Sequence, residues 1–180
     1  MRCLIIFLLM ILVSGPAFAG ASPMEQAVKD YLQGIGTLYT AEKVDQSKIV
    51  SFIKKHIADD AAISVQTEIS GVKGMQESNF TKDDIISVNS SKDMETLDSS
   101  AFSEMTGLED MGDGKSKVSY MLWVNATIRN MQDSKKVFYV DYRAESACEE
   151  VVTLNNETLT VLKSACHMKA SYGMPYGNKK

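Results

Sequence analysis

The sequence predicts an α+β fold in which a curved antiparallel sheet carries helices on one face. Two observations lead to this prediction. The last third of the chain, 117–172, alternates apolar and polar residues in long runs, as strands do when their two faces meet different surroundings. The first half instead spaces its apolar residues as helices do and carries several helix-start signals. Helices that precede a series of strands, rather than alternating with them, indicate the α+β class.

Three helices are predicted from their start signals. The first begins at a capping box that Ser22 forms with Glu25. The second follows the N-cap residue Asp45, and the third follows Thr81. The predicted helices cover 23 to about 41, 46 to about 58, and 82–88.

The strands are predicted from alternation and from the turns between them. Asp113 with Gly114 is a hairpin signal, and Asn155 with Asn156 marks another turn because asparagine tolerates left-handed backbone angles. The predicted strands are 63–69, 97–111, 118–129, 138–154 and 162–172.

Residues 1–19 have the features of a Sec signal peptide. Arg2 supplies the positive start, an apolar run follows over 4–13, and the small residues Ala17 and Ala19 flank a cleavage motif. We therefore predict cleavage after Ala19 and a periplasmic or secreted protein. An uncleaved membrane anchor is the alternative.

The remaining chain has the length of one domain. We predict a single domain over 20–172 and a flexible tail over 173–180. The net charge of the chain is −4, and loss of Arg2 with the signal peptide makes the mature protein more acidic. This charge argues against nucleic acid and anionic membranes as partners. The mature chain has no second hydrophobic segment, so we predict no stable membrane insertion after cleavage.

Cys148 and Cys166 are the cysteines that remain after export. Both lie in the apolar phase of their predicted strands. A five-residue loop would place them directly opposite each other and a three-residue loop diagonally, whereas a two-residue turn would need a bulge to bring both to one face. A cross-strand disulfide is therefore feasible. Two buried free thiols are the alternative.

The order of these elements resembles the nuclear transport factor 2-like superfamily, the cystatin-like cone that includes ketosteroid isomerases and SnoaL-like polyketide cyclases. The resemblance rests on the long first helix, the segment Ile-Ala-Asp-Asp-Ala at 57–61 before a strand, the helix start Phe-Thr-Lys-Asp-Asp at 80–84, and the closing long strands. It implies a cone-shaped sheet with three N-terminal helices packed on its concave face. It also implies a pocket for a small apolar ligand, and homodimers through the outer face of the sheet.

Aromatic residues on the apolar faces of the predicted elements form the candidate ligand pocket. These residues are Tyr31, Tyr39, Tyr120, Phe138 and Tyr142. They could line a site for a small apolar ligand, and plain core packing is the alternative. Met121 and Trp123 lie on the other face of the sheet, where they could contact a partner or a second copy of the chain.

We predict no catalytic residue, because no position matches a catalytic acid of the resembled family. Glu150 and Asp141 are weak candidates for the general base that isomerase or dehydratase chemistry needs. Glu150 lies in the apolar phase of its strand, although a strand that leaves the core there explains it more simply; Asp141 lies in the opposite phase from its aromatic neighbours. We interpret His56 as a cation at a helix C-terminus and His167 as part of a solvated face. The two histidines have no metal-ligand spacing, so we predict neither a metal site nor a cofactor.

These observations predict an exported, non-catalytic cone-fold domain that binds a small apolar ligand or a protein partner. The first alternative is an isomerase, dehydratase or cyclase with Glu150 or Asp141 as base and a tyrosine as proton donor, which requires a carboxylate inside the cone. The second alternative is a structural component of an envelope or secretion assembly.

Overall fold

A computed structural model describes residues 21–91, 93–130 and 137–177. The described chain contains α1 (Pro23–Tyr39), β1 (Ala41–Lys43), α2 (Gln46–His56), β2 (Ile57–Ile69), β3 (Met75–Phe80), α3 (Lys82–Ser90), β4 (Met94–Gly112), β5 (Lys115–Asn130), β6 (Phe138–Asn155) and β7 (Thr158–Tyr172). Among these residues, no helix is long and apolar enough to cross a membrane. The predicted signal peptide and the last three residues of the predicted tail lie outside the described residues.

Each helix begins where its capping residue predicts. Ser22 Oγ accepts a hydrogen bond from Glu25 N at 3.1 Å. Asp45 Oδ1 accepts one from the amide two residues further on, at 3.0 Å. Thr81 N donates to Asp84 Oδ2 at 2.8 Å, as part of a capping box. These bonds satisfy backbone N–H groups that have no partner inside a helix, so the sequence signal and the helix start coincide.

The seven strands form one sheet in the order β1-β4-β5-β6-β7-β2-β3. Neighbouring strands are antiparallel except β2 and β7, which run parallel. No hairpin connects β2 to β7, because β2 precedes the meander β4-β5-β6-β7 in the chain. The two strands can therefore pair in parallel. The sequence did not predict β1, which has three residues, or β3, which is mostly polar and exposed, because neither carries an alternating pattern.

Helix α1 closes one face of the sheet. It buries Val28, Tyr31, Leu32 and Ile35. The same apolar cluster includes Val118, Tyr120, Cys148, Val152, Leu159 and Val161 from β5, β6 and β7. A second cluster around Ile49 and Ile53 fills the space beside α2 and α3. The predicted α+β fold, with three helices on one face of a curved, mostly antiparallel sheet, is therefore confirmed.

The disulfide between Cys148 and Cys166 joins residues that lie directly opposite each other in β6 and β7. The turn between these strands has two residues, which alone would put the cysteines on opposite faces. Leu162 is an extra residue in β7, because Val161 and Lys163 pair with successive residues of β6. This bulge shifts the alternation of β7 by one residue. A two-residue turn needs such a bulge to bring both cysteines to one face of the sheet.

Candidate functional site

Glu150 lies inside the fold, between α1 and the sheet. Its exposed fraction is 5 %. Its Oε1 accepts hydrogen bonds from Tyr120 OH at 3.0 Å, Ser164 Oγ at 3.2 Å and Tyr31 OH at 3.4 Å. These donors come from β5, β7 and α1, so the sheet register and helix packing together assemble the group. We call Glu150, Tyr31, Tyr120 and Ser164 the interior carboxyl cluster.

The second oxygen of this carboxyl has no partner. Within the described residues, Glu150 Oε2 is buried and makes no hydrogen bond. Burial raises the pKa of Glu150 from its ordinary 4.5 to about 7, and the hydroxyl bonds from Tyr120, Tyr31 and Ser164 oppose part of that shift. Burial also raises the pKa values of Tyr31 and Tyr120 well above the ordinary range, so both hydroxyls stay protonated. Glu150 therefore has a pKa near neutral pH, and the tyrosine hydroxyl groups beside it remain hydrogen-bond donors.

The position of Glu150 corrects one interpretation of the sequence. Its strand does not leave the core at this point, because Cys148 and Val152 on either side of it are buried as well. The apolar phase of β6 was the signal that could have located it. Sequence alone could not supply the partners, since Tyr31 is 119 residues away.

His56 belongs to the surroundings of the cluster and is not a surface cation. It is buried, and its Nδ1 lies 2.8 Å from the carbonyl oxygen of Leu159, to which it donates. Burial lowers the pKa of His56, so the ring is neutral at pH 7. It packs on Phe52 at 4.4 Å and on Tyr31 at 5.5 Å between ring centroids. The interpretation as a helix C-terminal cation is wrong because tertiary packing covers this end of α2.

The five aromatic residues of the predicted pocket have different surroundings, and Tyr39 lies near both Tyr31 and Tyr142. Tyr31 and Tyr120 join the interior carboxyl cluster. Tyr142 donates instead to Met168 Sδ at 3.4 Å, and burial raises its pKa to about 12, with nearby Tyr39 contributing. Phe138 lies at the start of β6 with 36 % of its surface exposed.

Asp141 lies away from Glu150, on the exposed face of β6. Its Oδ1 accepts hydrogen bonds from Tyr176 OH at 2.9 Å and Thr127 Oγ1 at 3.0 Å. Tyr176 also forms an isolated bridge with Tyr139, so the described part of the C-terminal segment follows β6. Asp141 thus supports this segment, while the flexibility of the tail stays a prediction.

One cavity among the described residues is on the outer face of the sheet. It has a volume of about 750 Å³ and lies between β5, β6, β7 and the turn that joins β2 to β3. Trp123, Glu145, Lys169 and Glu68 follow one another across neighbouring strands and line it, together with Arg143. Cavities of about 710 and 630 Å³ lie beside α1 and β1. Glu150 lines none of the three.

Sequence reasoning missed this outer cavity. Its residues are spread over five strands and a turn, and only the register brings Trp123, Glu145, Lys169 and Glu68 into one row. The polar phase of each strand was the available signal, but that phase also describes an ordinary solvated face. For metal binding, the described chain contains no group of three histidine, cysteine, aspartate or glutamate residues that could hold an ion.

Comparison with known proteins finds similarity at the level of three-dimensional structure. No protein-family model and no curated protein matches the chain. A nuclear transport factor 2-like protein from Cytophaga hutchinsonii has 15% sequence identity and a TM-score of 0.48, over 79% of this chain and 95% of that one. A ketosteroid isomerase-like protein from Erwinia carotovora has 12% identity and a TM-score of 0.40, over 86% and 97%. A domain of unknown function with a cystatin-like fold from Nostoc punctiforme has 9% identity and a TM-score of 0.46, over 79% and 75%.

The names of these proteins contain the descriptions nuclear transport factor 2-like, ketosteroid isomerase-like and cystatin-like. Their names include both an isomerase-like protein and a domain without known function. Identities of 9–15% say nothing about what this chain binds or catalyses, since one fold serves many functions.

Proposed function

We propose that the protein is an exported, non-catalytic binding domain that takes a small, largely apolar ligand on the outer face of its sheet. The observation that carries this proposal is the cavity of about 750 Å³ lined by Trp123. Its volume falls in the range of small-molecule sites, roughly 300–1,000 Å³. Its wall combines an indole ring with the apolar side chains of Val72 and Met75, both about half exposed.

The charges in the cavity restrict the ligand. Arg143 and Lys169 are balanced by Glu68 and Glu145, so the wall has little net charge at pH 7. Glu68 also lies 3.3 Å from His167. A strongly anionic or cationic molecule would meet a like charge at close range in this cavity. We therefore expect a ligand that is neutral overall.

The interior is less suited to this role. Tyr31 and Tyr120, two members of the predicted pocket, are 7 and 4 % exposed and already donate to Glu150. A ligand there would have to displace packed side chains, whereas the outer cavity is open in the structure.

A cavity-filling variant tests the proposal. Ser171→Phe introduces a ring into the cavity, while Gln66→Phe adds the same ring to the outer face of β2, outside it. Native mass spectrometry of the purified protein should detect a non-covalent adduct in the wild type and in Gln66→Phe, and no adduct in Ser171→Phe. An adduct that persists in Ser171→Phe, or its absence from all three proteins, would contradict the proposal.

A second copy of the chain is the competing occupant of the outer face. Phe102 is 61 % exposed and stacks on Trp123 with ring centroids 5.5 Å apart, so an aromatic pair stands at this surface. Sedimentation velocity distinguishes the two occupants. The partner subunit is the occupant if the wild type is a homodimer, Phe102→Ser is a monomer, and neither protein carries an adduct.

The interior carboxyl cluster favours one other function, that of an isomerase, dehydratase or cyclase. Glu150 would act as general base and Tyr31 or Tyr120 as proton donor, because a base that titrates near pH 7 is well matched to proton abstraction. Such an enzyme should exchange the acidic C–H of a carbonyl substrate with deuterated water. Exchange lost in Glu150→Gln but kept in Glu149→Gln would support it, and equal rates in both variants would exclude Glu150 as the base.

A further inference from the structure

Most of strand β4 has a neighbouring strand on one side only. β4 has 19 residues, and among the described residues its pairing on the side away from β5 is with β1 and ends at Ser99. Thr40 then takes the place of a strand, because its Oγ1 accepts from Ala101 N at 3.0 Å and donates to Ala101 O at 3.3 Å. Within the described chain, no strand covers this side of β4 beyond Ala101.

The bonds of Ala101 show which backbone groups of β4 point away from β5. In an antiparallel pair, residues that bond the neighbouring strand alternate with residues whose N–H and C=O point to the other side. Ala101 is of the second kind, and the register between β4 and β5 is regular from Ser100 to Met105. Ser103 and Met105 therefore also direct their N–H and C=O groups away from β5. We call these two residues the open edge, since such groups are a template for pairing with another chain.

A groove runs between the open edge and α1. Its volume is about 710 Å³, and one side of α1 from Lys29 to Thr37 forms its other wall. Leu32 and Met105 supply apolar surface to the groove, and both belong to the packing of the main apolar cluster. An extended chain in this groove would add a strand to the sheet and contact α1 with its side chains, as peptides do when they bind at a sheet edge.

The charges beside the groove favour a basic chain. In its second half β4 contains Glu104, Glu109 and Asp110, and the whole strand has no lysine or arginine. Glu104 is exposed and lines the groove. Lys29 lines it as well, but Glu25 lies 2.6 Å from its ammonium group and balances the charge. The open edge therefore has negative surroundings, which are complementary to lysine or arginine side chains.

We propose that this groove binds an extended basic segment of a partner protein, which joins β4 as an additional strand. The backbone of the segment bonds Ser103 and Met105. Because side chains alternate along a strand, one set faces α1 and packs on Leu32, and the other lies beside Glu104 on the face that carries Phe102. The segment therefore alternates apolar and basic residues. The groove and the cavity beside the indole ring have different lining residues, so this binding does not rest on the ligand proposed above.

A synthetic peptide tests the charge part of the proposal. The peptide has about six residues, valine alternating with lysine, and blocked ends. Titration into the full purified chain, with its disulfide intact, is followed by nuclear magnetic resonance. We expect saturable binding to the wild type and to Glu77→Lys, and about tenfold weaker binding to Glu104→Lys, because attraction becomes repulsion. Glu77 is a matched control, since it is exposed on β3 at the opposite end of the sheet and its replacement changes the charge equally.

Amide hydrogen exchange at saturation tests the addition of a strand. We expect exchange to slow by about tenfold at Ser103 and Met105, and to change little at Phe102 and Glu104, whose backbone groups already face β5. A peptide of the same composition, with its valines and lysines in two separate blocks, should bind more weakly.

Four results would overturn the proposal. They are no binding to the wild type, equal affinity for Glu104→Lys, equal affinity for the block peptide, and binding without the alternating protection of Ser103 and Met105. Protection of these two amides in the free protein that increases with protein concentration would overturn it as well, because a second copy of the chain would then occupy the groove.

Discussion

At the scale of single residues, burial decides the chemistry more than residue type does. Glu150 and Glu149 are neighbours in β6, yet one is buried among hydroxyl groups and the other forms a surface ion pair with Lys117. Burial raises the pKa of Glu150 to about 7. Likewise, His56 and His167 differ because the first is covered by Phe52 and the second is on the outer face.

The raised pKa of Glu150 predicts how stability depends on pH. The folded state binds this proton more tightly than the unfolded state, so its stabilisation is complete below pH 4.5 and is lost as the pH rises through about 7. We expect the free energy of unfolding to fall by roughly 3 kcal/mol over this window. In Glu150→Gln this fall should disappear. Urea denaturation between pH 4.5 and 8 measures it.

His56 provides an internal check on the sign. Its lowered pKa means that the unfolded state binds the proton more tightly, so its contribution decreases as the pH falls below about 6.5. Glu150→Gln should therefore keep a weak slope of opposite sign below pH 6.5. A wild-type slope unchanged in this variant would show that another group is responsible.

At the scale of elements, local signals determine where the helices begin. The register between β6 and β7 depends instead on a bulge. The caps at Asp45 and Thr81 act within three residues, so the sequence shows them directly. The pairing of Cys148 with Cys166 depends on Leu162, an extra residue with no distinctive pattern of its own. Alternation predicted the face of Cys166 and of the residues that follow it in β7, but it did not predict the bulge at Leu162 or the part of β7 before it.

The disulfide should contribute measurably to stability. It bridges a sequence separation of 18 residues, and we expect Cys148→Ala with Cys166→Ala to lower the free energy of unfolding by about 2–4 kcal/mol. Guanidinium denaturation with and without reductant measures this contribution. Reductant should lower the wild type to the level of the variant and leave the variant unchanged. A wild type that reductant does not affect would contradict the assignment of this stabilisation to the disulfide.

At the scale of the whole molecule, the sheet has two faces with different surroundings. The inner surface is closed by α1 and holds the carboxyl cluster, while the outer surface carries the cavity beside Trp123. Disulfides persist in oxidising compartments, which supports the predicted export of the chain.

Export predicts a definite mass for the mature protein. Expression in a bacterium, followed by periplasmic extraction and intact mass spectrometry, should give residues 20–180 less two hydrogens. The full mass in the membrane fraction would instead support the uncleaved anchor, and a mass without the hydrogen deficit would contradict the disulfide.

The sequence by itself determined the fold class, the three helix starts and the faces of the long strands, because these depend on interactions between residues near in the chain. It also placed Glu150 and the cysteines in the apolar phase of their strands. Tertiary structure alone decided that Tyr31 meets Glu150, that His56 is covered, and that Trp123 and Lys169 line one cavity. These contacts join residues far apart in the chain. They follow from strand order, a single bulge and helix packing, and none of these produces a periodic pattern in the sequence.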